Sequence, residues 1–177
     1  MEDSEQSAAE IDNAFVARTF ARISEMLEFK DENPFKIRSY RMAAEALGEM
    51  ETQVADLAAR GGAAELQRIP GIGKSISNQI LEILATGRSS YFDELTKDTP
   101  ATVLDLRRIS GIGLKTAQLL YRDFGVKSLD DLKVLVEGGG LASVPGIGEK
   151  SIERIKRSFA RMEQAAGSSA SSEKRSV

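Results

Sequence analysis

Residues 68–76 read RIPGIGKSI and end in Gly-Lys-Ser, the trio that closes a phosphate-binding P-loop. That loop needs the pattern G-x-x-x-x-G-K-[ST] after a strand, so that backbone N–H groups can wrap nucleotide phosphates. Its first glycine would fall at position 68, which is Arg68, and no strand pattern precedes it. Two sister stretches, RISGIGLKT at 108–116 and SVPGIGEKS at 143–151, lack Gly-Lys-Ser. The dinucleotide pattern G-x-G-x-x-G fails as well, because its last glycine is replaced by Ile76, Thr116 and Ser151. A nucleotide site is therefore excluded, and phosphate binding of another kind remains.

The three copies place glycine pairs at Gly71 and Gly73, Gly111 and Gly113, and Gly146 and Gly148. Their first glycines are 40 and 35 residues apart, which is the signature of repeated supersecondary units. Glycine supplies the positive φ of a tight turn and leaves no Cβ in the way of a close approach. The isoleucine between the glycines is expected to turn inward and pin the hairpin. The second glycine opens a helix, whose free N–H groups and dipole favour an anion. Lys74, Lys115 and Lys150 each lie within two residues of a hairpin glycine, where a side-chain cation would add to backbone donors already holding a phosphate. Four and seven residues beyond the second glycine stand Ser77 and Ile80, Ala117 and Leu120, and Ile152 and Ile155; all but Ser77 suit a buried face.

Composition removes other chemistries. The 177 residues contain no Cys and no His. Disulfides, Cys-ligated zinc and Ser-His or Cys-His nucleophile pairs are excluded. No apolar run approaches the length of a membrane span, and the acidic MEDSEQSAAEID start has no signal-peptide pattern, so an intracellular, cytoplasmic protein is expected. Net charge is −3, but residues 1–12 hold five acids and no base, leaving 27 − 5 = 22 acids against 24 bases, or +2, in the remainder. Any nucleic-acid contact must come from local patches and backbone donors rather than from a broad basic field.

The elements that carry the hairpins read as helices throughout, and the fold class is all-α. Val16, Phe20, Ile23 and Leu27 form one apolar stripe, and Ile37, Tyr40, Ala44 and Leu47 form a second behind the Asn33-Pro34 start signal. Val54 and Leu57 mark a shorter helix that Gly61-Gly62 interrupts. Ile76, Ile80, Ile83 and Leu84 follow Gly73, with Gly87 as the stop. Thr99-Pro100 predicts a cap and first-turn proline before Val103, Leu104 and Ile109. Gly125 closes the helix after Gly113, Ser128 with Asp131 opens another that ends at Gly138–Gly140, and a last helix runs from about Gly148 to Ala165. This predicts a disordered acidic tail over 1–10, a small four-helix domain with the first hairpin over 11–98, the paired second and third hairpins over 99–163, and a disordered Ser-rich tail over 164–177.

The repeated hairpins resemble the helix-hairpin-helix motif of DNA repair proteins. The wider stretches NPFKIRSYRMAAEAL, IPGIGKSISNQILEILATG and RRISGIGLKTAQLLYRDFGVKSLDDL are similar, in order and over about 13–163, to the N-terminal region of family X DNA polymerases, especially the bacterial type. The resemblance implies a small domain that holds the 5′ side of a DNA gap, followed by hairpins that grip the duplex. Lys36 and Tyr40 stand where the family has a lysine and a tyrosine of the 5′-phosphate pocket. The lysine that forms the Schiff base in lyase-active members is here Gln79, and two supporting lysines are Ser75 and Tyr91. An amide cannot form an imine. Lys74 lies five positions earlier, about 140° around the helix, and points elsewhere. The family's catalytic palm has no counterpart in these residues. The resemblance also implies a monovalent cation, Na+ or K+, on hairpin carbonyl oxygens. By position these belong to Gln67, Ile69 and Ile72, then Arg107, Ile109 and Ile112, with Ala142, Val144 and Ile147 less supported.

The expectation is a monomeric, nucleoid-associated DNA-binding protein of DNA repair, with no required cofactor, little base specificity and an affinity for gapped, nicked or ended duplex. Two alternatives stand beside it: an abasic-site lyase using a displaced lysine, and a scaffold that docks a separately encoded repair protein.

Overall fold

A computed structural model describes residues 11–172, with side chains through residue 166. These divide into two compact units, 11–98 and 99–172. The first unit contains α1 (Asn13–Phe29), α2 (Pro34–Glu49), α3 (Val54–Leu66), α4 (Lys74–Thr86) and α5 (Ser90–Leu95). In the second, a 3₁₀ helix (Ala101–Arg108) leads to α6 (Leu114–Phe124) and α7 (Leu129–Glu137), then a 3₁₀ turn (Gly140–Ser143) and α8 (Glu149–Ser172). No strand occurs among the described residues, and no described helix is long and apolar enough to cross a membrane.

The first two helices start where local chemistry predicts. Asp12 accepts the Phe15 N–H at 2.7 Å to cap α1, and Asn33 accepts the Phe35 N–H at 2.9 Å ahead of Pro34. The α1 stripe of Val16, Phe20, Ile23 and Leu27 is fully buried, with Met26 beside it. It packs on Tyr40, Ala43 and Leu47 of α2. Ala43 takes the buried place expected of Ala44, which is only half-buried. Gly61 and Gly62 leave helical geometry and kink α3, which resumes to Leu66.

A polar clamp ties the start of α1 to the α2–α3 link. The buried Asn13 side chain donates to the carbonyls of Met50 and Thr52 at 3.2 and 2.9 Å and accepts the Val54 N–H at 2.8 Å. Its own N–H donates to Gln53 Oε1 at 3.0 Å. The clamp supplies the first donor of α3 with an acceptor that α3's own N-cap, Gln53, does not offer.

In the second unit the core gathers Val103, Leu106 and Ile109, Ala117 and Leu120, Leu132, Leu141 and Ile155. Ser128 caps α7 by accepting the Asp131 N–H at 3.2 Å, and Gly125 closes α6 at φ 66°.

The structure departs from the sequence expectation at four places. Thr99 caps nothing: Pro100 takes the cap position, with no side-chain hydrogen bond, and the segment after it winds as 3₁₀. The helix α5, capped by Ser89, is a fifth helix in a unit expected to hold four. Ser77 is fully buried, because its hydroxyl donates to the Lys74 carbonyl at 3.0 Å and accepts from Gln67 Nε2 at 3.2 Å. Finally, α8 continues to Ser172, so residues 164–172 are helical rather than a tail. Nothing in that stretch is proline or β-branched, and each further residue adds one hydrogen bond to a helix already nucleated. The acidic tail over 1–10 lies outside the described residues.

Candidate nucleic-acid interface

The three hairpins share one construction. A turn closes from Ile69 to Ile72, Ile109 to Ile112 and Val144 to Ile147, with N–H···O distances of 3.0, 3.0 and 3.1 Å. Gly71, Gly111 and Gly146 hold the third turn position at φ 85°, 101° and 83°. Proline or serine before them completes the pattern of a type II turn. Ile72, Ile112 and Ile147 point inward and are buried, as expected of the residue between the glycines. The next helix then begins at once, with Ser77 N–H on the Gly73 carbonyl, Ala117 N–H on that of Gly113 and Ile152 N–H on that of Gly148.

The two glycines of each pair do different work. The first needs a positive φ. The second does not: Gly73 and Gly113 have φ −90° and −91°, extended backbone open to any residue. A Cβ built on Gly73, Gly113 or Gly148 would meet nothing within 4 Å. As N-caps, Ser, Thr, Asn or Asp would serve the helix better than glycine. Side-chain oxygens do serve α1, α2, α5 and α7, and Asn13 serves α3. The hairpin helices α4 and α6 have no side-chain cap. Their first-turn N–H groups face outward beside a bare glycine, in the arrangement that accepts an anion approaching the backbone closely. Lys74, Lys115 and Lys150 are exposed within the first two residues of α4, α6 and α8.

The four positions 36, 40, 79 and 91 come together in the first unit. Tyr40 is buried, stacks on Tyr91 with centroids 5.6 Å apart and 14° between planes, and meets Phe20 edge-on at 5.7 Å. Gln79 Nε2 donates to the Tyr40 hydroxyl at 2.6 Å. The exposed Lys36 ammonium lies 4.8 Å from the Tyr91 ring centroid, a cation–π distance. The polar Tyr91 hydroxyl raises the Lys36 pKa above the ordinary lysine value, Glu32 and Tyr40 add to this, and partial burial works against it. No hydrogen bond of good geometry joins the two groups, however: the Tyr91 hydroxyl and Gln79 Oε1 are buried and unpartnered among the described residues. The cation–π contact with the ring, rather than a directed bond, thus holds Lys36. Burial raises the Tyr40 phenol pKa, and the Gln79 amide offsets part of that. Ser75 is exposed on the first turn of α4. The family resemblance pointed to these positions, but the sequence did not reveal the Tyr40–Tyr91 stack, because residues 51 apart carry no shared periodicity.

The carbonyls of Ile69, Ile109 and Val144 already accept the turn N–H groups, and each oxygen keeps a second lone pair. Like the carbonyls expected of Gln67, Ile72, Arg107 and Ile112, these are neutral backbone oxygens, a donor type that suits a hard monovalent cation rather than a transition metal. No group of three or more His, Cys, Asp or Glu residues that could hold a metal occurs among the described residues.

The comparisons agree with this construction. The helix-hairpin-helix domain family matches residues 11–89, and the SAM-like helix-hairpin-helix tandem family matches residues 103–161. Both units are thus helix-hairpin-helix domains. The chain is 30% identical over 140 residues to the DNA polymerase/3'-5' exonuclease PolX of Bacillus subtilis (strain 168), covering 79% of this chain and 24% of that protein. It is 30% identical over 122 residues to the DNA nucleotidylexotransferase of Ambystoma mexicanum, covering 68% and 22%. It is 38% identical over 77 residues to DNA polymerase lambda of Rattus norvegicus, covering 43% and 12%. The chain is homologous to the N-terminal part of family X DNA polymerases, and it spans about a quarter or less of the length of these relatives.

Proposed function

We propose that this chain binds DNA without reading its sequence, holding the phosphate backbone of gapped, nicked or ended duplex in DNA repair. The observation that carries this reading is the second hairpin glycine. It stands in open space, needs no special φ, and sits where a capping side chain would otherwise stabilise the helix. A phosphate drawn onto the bare N–H groups explains its absence of a side chain, and Lys74, Lys115 and Lys150 add charge beside it. Na+ or K+ on the hairpin carbonyls bridges protein and phosphate. Lys36 takes a 5′ phosphate, positioned by the Tyr91 ring, while Tyr40 acts through Gln79. The protein works as a monomer, with the DNA as its partner.

The lyase reading is disfavoured by the same cluster. A Schiff-base amine must be unprotonated to attack, whereas Lys36 lies over the Tyr91 ring, a contact that favours its cation. Gln79 spends its amide N–H on Tyr40. Borohydride trapping on an abasic substrate is expected to give no adduct, and a covalent adduct would restore the enzyme. Binding is tested on duplexes of unrelated sequence: log affinity falls linearly with log salt at a common slope. Salt-independent affinity or a strong preference for one sequence overturns the proposal. Gapped DNA with a 5′ phosphate is expected to bind more tightly than without; equal affinity removes the role given to Lys36.

A further inference from the structure

A second concentration of positive charge runs along α8. Lys150, Arg154, Arg157 and Arg161 recur at spacings of 4, 3 and 4. At about 100° per residue they share an arc of roughly 60° on the helix. The acids Glu149, Glu153 and Glu163 fall on a different edge, and Ile155 and Ser158 face the core. The three arginines are exposed, and among the described residues none pairs with a carboxylate. Arg157 Nε reaches only the Glu153 carbonyl, at 3.4 Å. Elsewhere in this unit Lys133 pairs with Glu163 and Arg108 with Asp105. Like charges three and four residues apart repel along a helix, so folding gains nothing from this alignment.

The edge is also held in register with the second hairpin. Ser110 N–H donates to Ser158 Oγ at 3.0 Å, and a Cβ on Gly111 would lie 3.4 Å from Arg154 Cδ and from Ile155 Cγ1. The aliphatic stem of Arg154 therefore lies against the turn glycine. Ser110, Arg154, Arg157 and Arg161 line one open cleft of about 510 Å³. Guanidinium forks a helical turn apart suit the repeating anions of a phosphodiester chain, each fork meeting one phosphate through two donors.

We infer that the Arg154–Arg157–Arg161 edge of α8 is a second backbone track, which takes consecutive phosphates of a DNA strand as it passes the second hairpin. This rests on the DNA-binding reading above. The track supplies side-chain charge where the hairpins supply backbone donors, and it sets much of the salt dependence.

The test is the salt dependence of duplex binding by the full chain, read by fluorescence anisotropy. R157Q/R161Q leaves Arg154 on Gly111 and is expected to keep the wild-type circular dichroism melt. Its log affinity against log salt should be shallower by about 1.8, or about 0.9 for each phosphate no longer neutralised. Lys156→Gln removes a charge from another edge of α8 and is expected to leave the slope unchanged. A wild-type slope in R157Q/R161Q overturns the track while DNA binding stands. An equal loss per charge in Lys156→Gln also overturns it, because the effect is then one of net charge. If the wild-type chain binds no DNA at low salt, the underlying DNA-binding reading fails instead.

Discussion

Tyr40, Gln79, Tyr91 and Phe20 form one aromatic and polar cluster in the first unit, with Lys36 over the Tyr91 ring. Tyr40 is its keystone: the ring is sandwiched against Tyr91 and Phe20, and the hydroxyl takes the Gln79 amide N–H. Tyr40→Phe keeps the ring and removes the acceptor, leaving that N–H without its partner. The expected loss is about 1–2 kcal/mol in urea melts at neutral pH. The same substitution reports on alkaline stability. The folded-state pKa of Tyr40 is raised above 10.0 and that of Lys36 above 10.5. Both groups hold their protons more tightly when folded. Their contribution is intact below those values and is lost as pH rises through the folded pKa values. The urea midpoint of the wild type should therefore fall at alkaline pH, and Tyr40→Phe should fall less steeply. Equal falls would place the titration elsewhere. Asn13 is the other residue on which much depends: Asn13→Ala strands the Val54 N–H and two carbonyls at the start of α3, and should cost about 2–3 kcal/mol.

At the scale of the elements, the hairpin separates what folding requires from what binding requires. Gly71→Ala or Gly146→Ala puts a Cβ at φ 85° or 83° and should cost about 1–2 kcal/mol in stability. Gly73→Ala meets open space in extended backbone, so the melt should be unchanged or slightly raised while DNA affinity drops. Loss of stability in Gly73→Ala, or unchanged binding, would mean that the second glycine serves the fold. Most of this architecture was legible in the sequence, because its causes are local. A 3.6-residue apolar period, Asn33-Pro34, Ser128 and the glycine stops act within a turn or two of their own positions. What escaped depends on distant chain. Ser77 is buried with Gln67, ten residues away, on its hydroxyl, the 3₁₀ helix after Pro100 buries Val103, Leu104 and Leu106, and the Tyr40–Tyr91 stack joins two helices. The arginine edge of α8 could have been counted from the sequence, but its alignment with Ser110 and Gly111 could not.

Across the whole molecule, the chain divides between Asp98 and Thr99, and each unit encloses its own apolar core. A fragment of residues 1–98 should therefore melt cooperatively by circular dichroism, with its helical signal retained. A non-cooperative, coil-like spectrum would show that the first unit depends on the second. The charge pattern follows the same division of labour. With a net charge of −3 the sequence argues against a broad positive field, and the proposed contacts to a polyanion are accordingly local, at the hairpins and on one edge of α8. Binding should then respond to a few substitutions rather than to the overall charge.

The bare second glycines have a use in measurement. The chain contains no cysteine, so a single cysteine introduced at position 73, 113 or 148 would be the only thiol in the protein. Nothing within 4 Å crowds a Cβ at any of the three. A fluorophore or spin label placed there would occupy the very spot a phosphate is proposed to fill. The three hairpins can thus be blocked one at a time, and the loss of DNA affinity caused by each label would rank their contributions to binding.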